Sequence, residues 1–485
     1  INAEGKAFHI DWGMDTAWAA GINGKDQVLT KLGAGTLGGP SAFNVGKLVI
    51  QGGTVSASEN ANSVIALPAT VEFQGGTLRD PVSIYSYSTN NANFVVPEGQ
   101  TGTFYADSRC NYKGKLTGSG TFNVYATSVR GYFQGDWSGF EGTLVAGTYS
   151  TDSYDENFLF DNNYGLPKAT LNVRSGVTFD NNGHNVQVGS VAGSGTLGGS
   201  GTYTIGVDGK DIEATFGSTA PIVKTGEGIM TAKSAGALKG KLTIQQGGLV
   251  FYGNESTQYF TSAVTLQDGT TLNGSGVLTS LTMEKGATLT PVAQSVIDFS
   301  EAPGTIKTTA ACRINEGAVL NMLIQSADEY SKITPKYFTM NGVLTVTLMD
   351  GYTPKVGDTF TFWTATTFSG TPSYSLPALS EGLYWDVTDL VKSGILRVTD
   401  DATLGIGQMA ANAVVNCEVF TVGGVRIGAF QTYRNAISER VKRLGAAAGT
   451  YIVKMTAGRN SATERVVMLG AAGAVEAMVT VLAVK

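Results

Sequence analysis

The chain has 485 residues, with 64 glycines against 12 prolines, 42% hydrophobic and 15% charged residues. Collagen is excluded because glycine follows no three-residue period and proline is scarce, and a long disordered chain is excluded by low charge with ample apolar content. Lys plus Arg number 33 and Asp plus Glu 39, a net charge of −6 without a basic block, so no footprint for nucleic acid is present.

From the N-terminus, Ile1 to Gly5 lacks the basic-then-apolar pattern of a secretory leader, so a leader is expected to have been removed or further repeats to precede it. Short apolar runs ending in Gly-Gly then recur. They are Leu48-Val49-Ile50-Gln51-Gly52-Gly53-Thr54-Val55, Val71-Glu72-Phe73-Gln74-Gly75-Gly76-Thr77-Leu78 and Leu242-Thr243-Ile244-Gln245-Gln246-Gly247-Gly248-Leu249-Val250. Each reads as strand, tight turn, strand. A second phrase, Gly-x-Gly before a polar or β-branched residue, occurs at Gly33 to Leu37, Gly118 to Phe122, Gly193 to Leu197 and Gly274 to Leu278. The segments between are four to six residues of Val, Thr, Leu, Phe and Tyr, often alternating apolar with polar, which is strand chemistry.

Self-similar strands favour a solenoid over a sandwich or barrel. A parallel β-helix with coils of roughly 20 to 25 residues would stack about 13 coils between residues 1 and 305, a rod of about 60 Å. Its core would be inward Val, Leu, Ile and Phe, with Thr and Asn outside.

The phrase Ile222-Val223-Lys224-Thr225-Gly226-Glu227-Gly228, leading through Lys241 to Leu249, resembles the autotransporter-associated β-strand repeat. Leu29-Thr30-Lys31-Leu32-Gly33-Ala34-Gly35 and the stretch Val264 to Pro291 are similar to it as well. The resemblance covers roughly residues 25 to 300. It implies a secreted bacterial passenger with a right-handed parallel β-helix.

Two glycine phrases, Gly33-x-Gly35-x-x-Gly38 and Gly193-x-Gly195-x-x-Gly198, match a dinucleotide fingerprint by letter. Each leads into strand residues where a helix N-terminus is needed, so they are read as repeat turns and no cofactor is expected. His9 and His184 are the sole histidines, and His184 sits in a strand-turn-strand phrase, so it reads as a turn residue. Cys110, Cys312 and Cys417 stand far apart, with no disulfide framework or thiolate metal site in prospect. No Asn-Thr-Asp or Arg-Ile-Lys phrase of the polygalacturonase kind is present, and no catalytic or metal residue is assigned.

The best local candidate for binding is the stretch Tyr149 to Tyr164, four acids with five aromatics on an expected extruded loop. Tyr149, Asp152, Tyr154, Asp155 and Asp161 are its candidate glycan-binding residues, because aromatic faces stack on sugars and acids bind hydroxyls. An ordinary loop with Phe158 and Phe160 tucked onto the coil is the plainer reading. Trp137, in the aromatic stretch Arg130 to Gly142, joins the candidates if exposed, although Phe133 and Phe140 beside it favour the core.

Beyond residue 310 longer strands replace the Gly-Gly turns, as in Ala318 to Ile324, Val343 to Leu348, Thr359 to Trp363 and Ile395 to Val398. The phrases Tyr352 to Asp358 and Leu383 to Asp386 resemble the module that often closes such passengers. A solenoid end exposes strand edges, so residues 311–402 are expected to form a β-sandwich-like cap after the β-helix of 1–310. In 403–485, Val419 to Ile427, Leu444 to Lys454 and Glu464 to Met468 resemble the C-terminal sorting domain of the Bacteroidetes type IX secretion system. That family is a small antiparallel β-sandwich, and the matching residues are Gly423, Gly424, Arg426, Gly449, Tyr451 and Lys454. Asn435 to Leu444 is a longer insertion, and Leu469 to Lys485 runs past the expected end. No run of about 18 apolar residues spans a membrane; the nearest, Leu469 to Val484, is broken by Glu476.

The resemblances imply export across the outer membrane to the cell surface, with the translocon and outer-membrane shuttle proteins as partners of the C-terminal domain. A structural or adhesin-like rod is the favoured expectation. A surface glycan-binding protein comes next, and a polysaccharide lyase or hydrolase last.

Overall fold

Alternation decides which side of each strand enters the core. In a computed structural model that describes residues 8–11, 16–17, 22–38, 42–56, 66–80, 88–106, 109–126, 131–148, 157–254, 256–294, 301–401, 414–421, 423–433, 440–441, 449–457, 460–468 and 480–481, strand Thr121–Ala126 buries Phe122, Val124 and Ala126. Thr121, Asn123 and Tyr125 face outward on the same strand. The chain is 58% strand and 2% helix, and its strands form a parallel β-solenoid of about 13 turns.

Coils stack in register. Phe104, Val124, Ala146 and Val173 follow one another across parallel pairs, so these three coils span 20, 22 and 27 residues. The chain divides into two compact units, residues 1–288 with 307–312, and residues 289–306 with 313–485. In the first, one wall is Phe8–Asp11, Val28–Leu32, Lys47–Ile50, Thr70–Phe73, Asn93–Val96 and Leu116–Gly118. A second wall includes Thr77–Asp80, Thr101–Ala106, Thr121–Ala126 and Thr143–Thr148. A third holds Ser88–Asn90, Cys110–Tyr112, Tyr132–Phe133, Asn157–Phe160 and Thr178–Asp180.

Like residues stack between coils. Phe133 lies 4.4 Å from Phe158, which lies 5.1 Å from Phe179, each pair with near-parallel rings. All three are fully buried. Such ring pairs contribute about 0.5–1.5 kcal/mol beyond the area they bury.

The two repeat phrases meet through a buried lysine. Lys31 and Lys224 have no exposed surface. The Lys31 ammonium donates to the carbonyl oxygens of Leu32 (2.5 Å), Gly33 (2.8 Å) and Gly52 (3.2 Å). That of Lys224 donates to Gly226 (2.7 Å), Gly228 and Gln246 (3.1 Å). Lys31 pairs with Ile50 and Lys224 with Ile244, so Gly52 and Gln246 occupy equivalent positions two residues past the paired isoleucine of the following coil. Each lysine therefore closes its own turn by two bonds and ties it to the next coil by one. Gly247 permits this: its φ is +71°, and a Cβ there would stand 2.6 Å from the Lys224 Nζ. Burial pushes the Lys224 amine below its ordinary value, with Asp211 and Glu227 opposing the shift.

In the second unit parallel pairing continues beyond residue 310. Val319–Ile324 pairs with Val343–Leu348, which pairs with Ser373–Ser375, and Lys332–Met340 pairs with Thr367–Ser369. Within 311–402, the region expected as a β-sandwich-like cap, Thr359–Thr361, Ile395–Thr399 and Tyr384–Asp386 form a small antiparallel sheet. Farther on, Arg426–Tyr433, Val414–Thr421, Gly449–Ala457, Asn460–Met468 and Thr480–Val481 form an antiparallel sheet in that order. Thr480 and Val481, near the end of the chain, pair with Arg465 and Glu464.

Candidate functional site

The third wall of the first unit carries a polar shelf at the turn that follows its strands. Phe133 pairs with Phe160, and Leu159 with Asp180, which sets Gln134, Asp161 and Asn182 in one row across three coils. Asp161 collects the row: Gln134 Nε2 donates to its Oδ2 (2.6 Å) and Asn182 Nδ2 to its Oδ1 (2.9 Å). His184 Nε2 lies 2.9 Å from the same Oδ1, and His184 Nδ1 lies 3.0 Å from Asn163 Oδ1. Behind the shelf two buried asparagines hold the turns. Asn162 donates to the Phe133 carbonyl and accepts from the Tyr164 and Gly165 N–H groups, while Asn181 accepts from Gly183 and Gly201.

The Asp161 side chain is 18% exposed and the His184 side chain 31%. Burial pushes the Asp161 carboxyl up, but hydrogen bonds from Gln134, Asn182 and His184 outweigh it and hold the group below its usual range. A carboxylate-held imidazole is the arrangement that orients a general base. In this shelf, however, both ring nitrogens already face acceptor oxygens, Asp161 on one side and Asn163 on the other. Its chemistry as arranged is a polar cross-link between coils, beside the 57% exposed Tyr164.

Of the candidate glycan residues, Asp161 lies on this shelf. Tyr149, Asp152, Tyr154 and Asp155 lie outside the described residues. Phe158 and Phe160 tuck into the core, as the plainer loop reading expects. Trp137 is corrected: at 1% exposure it is a core residue, set against Phe122, Phe133 and Phe160, with its Nε1 donating to the Gly114 carbonyl. No face of it reaches a sugar. Cys110, Cys312 and Cys417 are buried; burial, reinforced by Asp80, pushes the Cys110 thiol up to about 12.

The six residues that resemble a sorting pattern fall on or beside the C-terminal antiparallel sheet. Gly423 and Gly424 are exposed at the hairpin tip, with Gly424 at φ +83°, and Arg426 pairs with Glu418 at 3.1 Å. Gly449 opens strand Gly449–Ala457, where Tyr451 pairs with Thr421 and Val466. Lys454 is exposed, its Nζ 5.1 Å above the Phe420 ring. Within the longer insertion Arg440 and Val441 are helical.

Reading His184 as an isolated turn residue missed its contact with Asp161. The signal available was their separation of 23 positions, one coil, which sets two turn residues side by side. No protein-family model matches the chain, and no curated protein matches it in sequence.

Proposed function

We propose that the protein is a secreted, cell-surface rod of structural or adhesin-like function, exported by type IX secretion through residues 403–485. The observation that supports this most is the coil-to-coil closure, in which Lys31 and Lys224 each bind two carbonyls of their own turn and tie it to the next coil by a third hydrogen bond. A parallel stack sealed in this way resists extension and proteolysis along its length and requires no disulfide, metal or cofactor. The partners of residues 403–485 are then the translocon and outer-membrane shuttle proteins, with Gly423, Gly424, Arg426, Gly449, Tyr451 and Lys454 as the recognised signal. Glycans or a host surface are the external partners, and no nucleic acid is involved.

The test is to express the full chain and a version ending at residue 402 in a Bacteroidetes cell competent for type IX secretion, then treat intact cells with protease. Surface digestion of the full chain with periplasmic retention of the shortened one is expected. Equal surface delivery of both would refute the sorting role.

A glycan-binding function is the second reading, favoured by the exposed Tyr164 beside the Asp161–His184 shelf. Retention on plant, bacterial or mucin polysaccharides without release of new sugar ends supports it, and release of ends favours a lyase or hydrolase instead. The engagement of both His184 nitrogens weighs against the enzymatic reading.

A further inference from the structure

On the second wall one outward row crosses four coils, because Arg79 pairs with Tyr105, Tyr105 with Tyr125 and Tyr125 with Gly147. The two tyrosine rings stack 5.0 Å apart at 17°. Arg174, one residue past strand Leu166–Val173, lays its guanidinium over Tyr125, with Cζ 4.9 Å from the ring centroid. Gly147 leaves the room: a Cβ there would stand 2.8 Å from Tyr125 Cδ1 and 3.3 Å from Arg174 Cδ. The row thus holds a flat cation in one orientation on an aromatic base, and a guanidinium so held loses little freedom on meeting an anion. Arg174 is exposed and has no ion-pair partner among the described residues.

The two outward rows beside it, from Thr77 to Asn172 and from Thr101 to Thr170, hold threonine and asparagine apart from Val145, and no acidic side chain. Asp80, on the same wall, points inward and is fully buried. Glu98 and Glu141 stand in turns at the border opposite Arg174, and Glu141 is paired with Lys168. In a chain of net charge −6, an exposed cation on a face without outward acids seeks an anion. Hydroxyls and amides offer donors and acceptors to sugar hydroxyls. Coils rise by about 4.8 Å, so a chain extended along the rod meets these rows again at every coil. One fixed guanidinium among uncharged rows suits sparse negative charge, a carboxylate held bidentately with neutral hydroxylated units on either side.

We propose that this face docks a linear polysaccharide in which uronate units alternate with neutral ones, laid along the rod with one carboxylate on Arg174 and hydroxyls on the threonine and asparagine rows. The inference goes beyond the proposed function, since binding to the purified chain does not depend on where the chain is delivered. It also uses a face other than the Asp161–His184 shelf, so the two readings fail separately.

Native electrophoresis of the full-length protein through gels cast with hyaluronan (alternating glucuronate and N-acetylglucosamine), dextran or polyglutamate, with mobility referred to a plain gel, tests it. Retardation by hyaluronan alone, weakening as salt rises, is expected. Arg174→Gln, at an exposed position that leaves the fold intact, should weaken binding about tenfold by removing the charge-assisted contact. Tyr125→Thr keeps the charge and a strand-favouring residue but removes the base under the guanidinium, and should weaken binding about threefold. Tyr164→Ala, on the shelf, should leave it unchanged. Absence of retardation by hyaluronan, equal retardation by dextran or polyglutamate, undiminished binding in Arg174→Gln or Tyr125→Thr, or loss of binding in Tyr164→Ala would each overturn the proposal.

Discussion

Replacing Lys224 by methionine isolates what a buried ammonium contributes to coil closure. Methionine keeps a similar apolar stem and removes the charge and all three donors. In the native protein those donors serve the carbonyls of Gly226, Gly228 and Gln246. Hydrogen bonds from a charged donor contribute about 1.5–3 kcal/mol each, against a desolvation penalty of several kcal/mol for the ammonium. For the charge itself burial outweighs these bonds, as the lowered amine value requires, but methionine leaves three buried carbonyls unpaired at about 1–3 kcal/mol each, so a net loss of about 2–4 kcal/mol is expected. Solenoid stability is a sum over neighbouring coils, so the loss is local. Hydrogen exchange read by mass spectrometry should quicken about 30-fold to several hundred-fold between residues 222 and 248 and stay unchanged in distant coils.

The pH dependence supplies a second arm with a defined sign. Burial sets the folded Lys224 amine below 10.5, so between the folded value and 10.5 the unfolded chain holds more protons and native stability rises with pH. The variant lacks this contribution, and the native advantage should therefore widen across that window. Tyr203, raised well above 10 by burial, affects both proteins alike and cancels in the difference. Unchanged exchange across 222–248, or an advantage that narrows as pH rises, would refute the closure role.

Ile244 is fully buried and pairs with Lys224 and Leu266, so Ile244→Asp buries an unpaired carboxylate at a cost of several kcal/mol; limited proteolysis should then cut within residues 222–266, and an unaltered digest would show the strand phase to be wrong. Asp161 has a lowered folded pKa, so its stabilisation is present above pH 3.8 and lost as pH falls through the folded value. Asp161→Asn should accordingly cost about 1 kcal/mol near neutrality, with the two proteins' urea midpoints converging in acid; a constant gap would count against the network. Cys110, buried with its thiol pushed to about 12, should resist iodoacetamide at pH 8 in the native protein and react once unfolded, and native labelling would contradict its placement.

Strand phase was legible in the sequence because it is a local property. Thr121–Ala126 and Leu242–Ile244 alternate, and the structure buries the positions that alternation selects. The same rule, pressed further, places Lys224 inward beside Ile222, with Val223 turned out. The general preference of lysine for water hides that consequence, until the carbonyls of its own turn and one of the next coil are known to converge on the ammonium. What the sequence concealed depends on contacts one coil apart. Trp137 is buried partly by Phe160, 23 positions later, and His184 meets Asp161 across the same interval. Coil lengths range from 17 to 30 residues, so no fixed period aligns such partners in advance. The bridge between Ile333 and Trp363 lies further from sight, because it joins segments thirty residues apart. In a solenoid, then, each strand announces which face it buries, while the chemistry of a site is assembled by insertions in the turns that decide which side chains become neighbours.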